Sequence, residues 1–298
     1  MELYPTQDGF LGEIAKGFTF AQVARLAAGF GERVKAEGIT QVVVAHDARF
    51  LAKEMAEEAA GVLGGLGLET LLLKGPSPWP LFAFALRELE AAGFYLTASR
   101  RPARYQGVKL RLGPGRPLPP AGLPLPEEPP GVRGSFQILD RKKAYLEHLA
   151  GSAGEGFQGK KGVVYLDALG GAGGGLLPGV FKLLGLEAEL RELHPLPHPL
   201  FYGVDPDPKP ENLPTLLALM KAAEAPAVGF ALDGDADRLG VVLPGGEALP
   251  PEETLERLRQ ALGGREVQAD GEGGYLFPWH LPEKDPFLAA LLLLRVLL

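Results

Sequence analysis

Hydrophobic positions in the first half of the chain change period in a regular order. Phe20 to Ala36 is amphipathic at helical spacing, Val42 to Ala45 is a short β-branched run ending at His46-Asp47, and Ala52 to Leu66 is amphipathic again. That order predicts helix, strand, helix. Leu71 to Leu73 and Phe94 to Leu96 supply further short strands around a helical stretch from Leu81 to Ala91, and Val108 to Leu112 adds another. Strands alternating with helices imply a mainly parallel sheet with helices on its faces.

A proline-rich stretch from Pro114 to Pro130 then breaks the pattern, as an interdomain connection would. The same order restarts with a helix over Asp140 to Leu149, a strand at Val163 to Leu166, the glycine-rich Gly170 to Gly175, a helix ending at Leu184 and the segment Glu187 to Leu193. Beyond the prolines of His194 to Pro210, a helix from Leu213 to Glu224 leads to strands at Val228 to Leu232 and Leu239 to Leu243. The remaining segment, about fifty residues, is marginal for a core of its own. Its apolar run, Phe287 to Leu298, is interrupted by Arg295 and is shorter than the roughly 20 residues a membrane span needs, so it reads as a buried helix. The expected units are 1–133, 134–244 and 245–298.

Composition narrows the chemistry. The 298 residues carry a formal charge of −7 with no block of like charges, so nucleic acid is not an expected partner. With no cysteine, disulfides, thiolate zinc sites, iron–sulfur clusters and cysteine nucleophiles are excluded. Any metal must be held by oxygen or imidazole. Met1 to Phe10 has no basic region followed by an apolar run, so the expected location is cytoplasmic, with no membrane partner.

The sharpest local signal is Asp233-Gly234-Asp235-Ala236-Asp237-Arg238, set between two strand-like runs. Alternate residues of a tight loop can turn three carboxylates toward one point, and hard oxygen ligands suit Mg²⁺, which commonly shares its shell with a phosphate. A calcium-binding EF-hand loop needs Gly and Glu where this chain has Arg238 and Pro244, with helices on either side. An acidic β-turn is the plainer alternative, although clustered carboxylates repel one another without a cation. The second signal is Thr97-Ala98-Ser99-Arg100-Arg101-Pro102, directly after a strand. Open α/β sheets bind ligands at that edge. Arg100, Arg101, Arg104 and Lys109 stand ready to hold a phosphate through charge-assisted hydrogen bonds. Such a serine alone is more often a turn or helix-cap residue, and its weight comes from the acidic loop.

Together these residues resemble the α-D-phosphohexomutase superfamily, the phosphoglucomutases and phosphomannomutases, whose members carry loops close to Thr-Ala-Ser-His-Asn-Pro and Asp-Gly-Asp-Ala-Asp-Arg. The resemblance continues through Asp167 to Gly174, Lys209 to Leu213, and Asp285 with Leu288 to Leu294. It implies consecutive mixed α/β three-layer domains, with the third abridged and the fourth, which clamps the substrate's distal phosphate, absent. It also implies a phosphoserine at Ser99, with Mg²⁺ held by its phosphate and by Asp233, Asp235 and Asp237. Lys109 and Arg238 match basic residues near the reacting phosphate. The implied reaction moves phosphate between C1 and C6 of a hexose phosphate.

The pattern departs from the family in four places. Leu11 stands where the opening loop carries an arginine, Arg100-Arg101 replace His-Asn, and Gly271-Glu272-Gly273-Gly274 is a thin counterpart of the sugar-recognition loop. Arg100, Arg101, Gly271, Glu272 and Gly273 are the expected substrate contacts. The fourth departure is the missing clamp, whose binding energy would help orient the reacting centre. A homo-oligomeric or separate partner chain is one way to supply it. Two other functions stay open: phosphosugar binding without catalysis, and phosphatase activity if water reaches the phosphoserine. His194 and His198 do not read as a metal pair, because Pro195, Pro197 and Pro199 forbid the helix that would align them. Arg49 reads equally as a structural ion-pair partner or a ligand contact. Trp79 and Trp279 carry no ligand signal.

Overall fold

A computed structural model describes residues 3–298. The first sheet is built from β1 (Tyr4–Pro5), β2 (Gly9–Glu13), β3 (Gln41–His46), β4 (Glu69–Leu73), β5 (Ala92–Leu96), β6 (Tyr105–Arg111) and β7 (Gln137–Leu139), in the order β1-β2-β6-β5-β3-β4-β7. Helices α1 (Phe20–Ala36), α2 (Ala52–Gly65) and α3 (Trp79–Leu89) connect the parallel strands. The period of two along β3 assigns the faces. Val42 and Val44 pack toward α1 and α2 with Phe30, Met55 and Phe94, whereas Val43 and Ala45 pack toward α3 with Phe82 and Tyr95.

The sheet is mixed, where the pattern predicts a mainly parallel one. The link from β5 to β6 is only 97–104, too short for a crossover, so β6 returns antiparallel and pairs β2 antiparallel in turn. That turn brings the Ser99 loop to the strand ends and sets Lys109 beside it. Pro114–Pro130 also differs from a free linker. Leu118 and Leu123 are buried, and Arg25 of α1 donates to the Pro126 carbonyl at 2.6 Å, so the stretch is strapped along the first unit. Strand β7, which lies beyond residue 134, completes the first sheet beside β4.

Helix α4 (Lys142–Ala153) opens the second unit. Strands β8 (Val163–Asp167), β9 (Glu189–Leu193), β10 (Ala227–Leu232), β11 (Leu239–Leu243) and β12 (Glu247–Leu249) form a sheet in the order β12-β11-β10-β8-β9. Helices α5 (Leu177–Leu184) and α6 (Pro214–Ala222) flank it on opposite faces: Val180 and Phe181 join the larger core, and Leu216 and Met220 cover the other side. The third segment holds α7 (Pro251–Leu262), the short ribbon β13 (Gln268–Ala269) and β14 (Tyr275–Leu276), and α8 (Pro286–Leu297). A segment this short buries its apolar residues against a neighbour. Phe287 to Leu294 are buried in the core shared by α3, α4 and the second sheet, and Asp285 caps α8 by accepting from the N–H groups of Phe287 and Leu288. Among the described residues, no helix is long and apolar enough to cross a membrane.

Candidate active site

The acid loop lies between β10 and β11. Asp233 Oδ1 accepts from the N–H groups of Asp237 at 2.8 Å and Arg238 at 3.1 Å, which curls the loop so that its acids converge. Ala236 takes a left-handed φ of 54° to complete the turn. Asp233, Asp235 and Asp237 are buried and offer carboxylate oxygens within 4.8 Å of one another, so the group could hold a metal. Lys109, reaching across from β6, places Nζ 2.7 Å from Asp235 Oδ2 and 2.8 Å from Asp237 Oδ2. Burial opposes the ammonium charge, but Asp235 and Asp237 outweigh it and hold Lys109 above its usual range. Burial likewise opposes the Asp237 charge, yet Lys109, Lys284 and Arg238 keep that carboxyl below its usual range. Asp233 moves the other way, well upward, because burial and the charges of Asp235 and Asp237 all disfavour its anion. Asp235 Oδ1 and Asp237 Oδ1 are buried with no hydrogen-bond partner. Two carboxylate oxygens without a hydrogen bond, in a trio whose third acid meets the Ser99 hydroxyl, form a hard-oxygen donor set that fits a divalent cation of the Mg²⁺ type.

The serine loop meets these acids from the first unit. Ser99 Oγ donates to Asp233 Oδ2 at 2.7 Å, bridging residues 134 apart in sequence. Ser99 itself has a left-handed φ of 48°, and Arg49 helps hold it there. The Arg49 guanidinium donates to the carbonyls of Ser99 and Arg101, each at 2.6 Å, of Pro102 at 2.9 Å and of Tyr105 at 3.0 Å. Its Nε meets Asp47 Oδ2 at 3.1 Å, and Thr97 Oγ1 donates to the same oxygen at 2.8 Å. Arg49 therefore organises the loop's backbone rather than facing the cleft. Gly234 permits the two loops to touch, since a Cβ there would lie 2.7 Å from the Ser99 carbonyl oxygen.

At the rim, Glu272 Oε2 accepts from Arg100 at 2.9 Å and from Arg238 at 2.8 Å, tying the serine loop, the acid loop and the third segment together. Those hydrogen bonds, Arg238's first, pull its carboxyl below the usual range. Arg100, Arg101, Lys109 and Arg238 line a cleft of about 410 Å³ with Ser99. Gly271, Glu272 and Gly273 instead line an adjoining apolar cavity of about 360 Å³, which shares Arg100. Elsewhere, His194 Nδ1 lies 2.9 Å from Asp167 Oδ1, and His198 stacks on Tyr202.

Four contributors to the cleft wall escape the sequence motifs. Arg111 bonds Glu283 at 2.6 Å and Asp8 at 2.7 Å, and Trp79 donates from Nε1 to Glu283 at 3.3 Å. A signal for Arg111 exists: two positions beyond Lys109 on a strand, it must share Lys109's face. Trp79, Asp8 and Glu283 have no comparable signal, because only the fold brings them together.

These loops sit on a fold shared with known proteins. The family model for phosphoglucomutase/phosphomannomutase α/β/α domain I matches residues 2–123, and that for domain II matches residues 143–246. The chain belongs to this family, the α-D-phosphohexomutase superfamily, and has its α/β domain architecture. A solved structure of a candidate phosphomannomutase from Thermus thermophilus has a TM-score of 0.90 at 37% identity, covering 99% of this chain and 80% of that one. A phosphoglucomutase from Neisseria gonorrhoeae is 32% identical over 231 residues, 74% of this chain and 48% of that protein. A phosphoglucosamine mutase from Moorella thermoacetica is 32% identical over 263 residues, 81% of this chain and 55% of its own length. The chain thus spans about half the length of the curated relatives it matches.

Proposed function

We propose that this chain carries out phosphoryl transfer on a hexose phosphate, with Ser99 as the phosphoryl carrier and net movement of phosphate between the C1 and C6 oxygens. The observation that carries the reading is the 2.7 Å contact between Ser99 Oγ and Asp233 beneath a buried trio of acids. In the forward step, the bond between Ser99 Oγ and phosphorus breaks and one forms to a sugar oxygen. The sugar hydroxyl gives up its proton and Ser99 regains one, so charge and atoms balance. The bisphosphorylated sugar then turns over and returns its other phosphoryl group to Ser99. Asp233, Asp235 and Asp237 would hold Mg²⁺. Bound there, the ion would neutralise charge developing on the phosphoryl group. Lys109 and Arg238 supply fixed positive charge from the protein itself, while Arg49 holds the carrier loop in place. Arg100 and Arg101 are proposed to bind the substrate phosphate, and Gly271, Glu272 and Gly273 the sugar.

A binding-only role has one observation in its favour, since the Glu272 carboxylate is already engaged by Arg100 and Arg238. A coupled assay with glucose 1-phosphate or mannose 1-phosphate and a trace of the bisphosphate separates the readings. Turnover abolished by Ser99→Ala, with intact mass showing one phosphoryl group on the parent and none on the variant, supports the enzyme. Ligand binding without turnover selects the binding-only role. Inorganic phosphate released without isomer formation selects the phosphatase.

A further inference from the structure

Trp79 lies at the floor of the cleft, in the first turn of α3, and is 2% exposed. Lys109 Nζ stands 4.7 Å, and Arg111 Cζ 4.6 Å, from its ring centroid. Its backbone N–H donates to the Asp235 carbonyl at 2.7 Å, and its indole N–H donates to Glu283. One residue thereby ties β6 and the third segment, through its side chain, to the acid loop, through its backbone. Phe82 and Tyr95 pack against the ring with centroids 5.3 and 5.4 Å away, so the indole is itself fixed.

The charges around it are arranged in sequence. Asp235 and Asp237 balance Lys109, Asp8 and Glu283 balance Arg111, and the indole lies against both cations. Two cations sharing one ring repel each other, and the ring's negative face attracts both. Lysine carries its charge on a flexible four-carbon stem. Asp235 and Asp237 hold its ammonium by hydrogen bonds, and the ring adds a cation–π contact at 4.7 Å.

We propose that Trp79 is a positioning residue that fixes the Lys109 ammonium and the Arg111 guanidinium as a rigid pair of cations under the cleft. With the indole 2% exposed, its effect on the reaction runs through these cations. The inference rests on the phosphoryl-transfer reading for its catalytic consequence, but its geometric content can be tested alone.

Trp79 and Trp279 are the two tryptophans of the chain, so a Trp279→Phe background leaves Trp79 as the sole indole reporter. In that background, Lys109→Met is expected to change the wavelength and intensity of Trp79 emission. Unchanged emission means that the Lys109 ammonium does not rest on the ring, and overturns the proposal. In the coupled assay, Trp79→Leu is expected to lower kcat about tenfold with KM within about threefold, whereas Trp79→Phe, which keeps a π face, stays within about threefold of the parent. Equal loss in both variants would mark a packing role only, and an effect confined to KM would also overturn the proposal. If Trp79→Leu does not fold, the emission measurement and Trp79→Phe decide: a tenfold loss of kcat in Trp79→Phe counts against the π contact. Absence of turnover in the parent would count against phosphoryl transfer and leave the emission result to judge Trp79.

Discussion

The floor and the rim of the cleft pair the same kinds of charge under opposite conditions. At and behind the floor the charges are enclosed: Asp47 and Arg49, which lie behind the cleft lining, have side chains 0% exposed, and Asp235 meets Lys109 with the acid equally enclosed. At the rim, Glu272 joins Arg100 and Arg238 with half of its side chain in water. Distances barely distinguish the two, because contacts at both levels fall below 3.2 Å. Environment does. A buried ion that loses its partner has no water to replace it, whereas an exposed one is solvated and screened. The floor is therefore where these charges are structural and irreplaceable, and the rim is where they can exchange partners with a ligand.

The largest expected effect comes from breaking the floor at Arg49. Arg49→Met leaves Asp47 buried without its cation and releases three carbonyls of the serine loop and that of Tyr105 at the start of β6. Urea denaturation should show a loss of about 3–5 kcal/mol. Asp47→Asn added to Arg49→Met should recover part of that loss, because no buried charge is then orphaned. A single variant as stable as the parent would erase the distinction between floor and rim. Next comes Asp235→Asn, which removes one of the three acids while keeping its shape. Calorimetric titration with Mg²⁺ should show affinity reduced by on the order of a hundredfold, at the upper end of what loss of a mere supporting partner costs. Unchanged affinity would place the ion elsewhere.

The two levels also differ in how readable they were. Asp233, Asp235, Asp237 and Ser99 could be picked out because their chemistry is written in consecutive residues: alternating acids between strands, and a serine at a strand end. Helix α1 was legible to its ends, since the stripe from Phe20 to Ala36 needs only local spacing. The mixed sheet and the packing of Pro114–Pro130 were not. Antiparallel return by β6 depends on the length of a link, and the proline stretch looks the same whether or not it is strapped down by Arg25. Asp8, Trp79 and Glu283 are separated by about seventy and two hundred residues along the chain, so no local pattern could join them. The role of Arg49 lay between these cases. Its neighbour Asp47 hinted at an ion pair, but the carbonyls it binds come from a loop about fifty residues away.

An intermediate environment should give an intermediate effect. His148 on α4 is half-buried beside Arg87 and stacked on His280, with ring centroids 4.6 Å apart; Asp285, farther back, is bonded to His280. Burial, with the like charges of His280 and Arg87, lowers its pKa to about 4. The unfolded chain therefore binds this proton at higher pH than the folded one. Its contribution to stability is intact above about 6.5 and is lost as pH falls toward 4. Solvent screening reduces the effect to on the order of 1 kcal/mol. Comparing the parent with His148→Phe between pH 7 and pH 4.5 isolates it: the parent should lose more stability on acidification, and parallel curves would show that the half-buried site behaves as an exposed one.

The smallest effect belongs to the rim, and it tests the comparison from the other side. Glu272→Gln keeps the length and an acceptor oxygen for Arg100 and Arg238 but removes the negative charge. Because the pair is wet, stability should change by no more than about 0.5 kcal/mol, within the range of exposed ion pairs. Freed of a competing carboxylate, the two guanidiniums become better anion ligands, so inorganic phosphate should bind the variant more tightly at low salt. Raising the ionic strength should shrink that gain, since screening acts strongly on exposed charges. Denaturation and phosphate titration at two salt concentrations read both quantities. A loss of stability like that at Arg49 would mean that the rim clasp holds the three segments together, and would make Glu272 part of the floor in energetic terms, whatever its exposure.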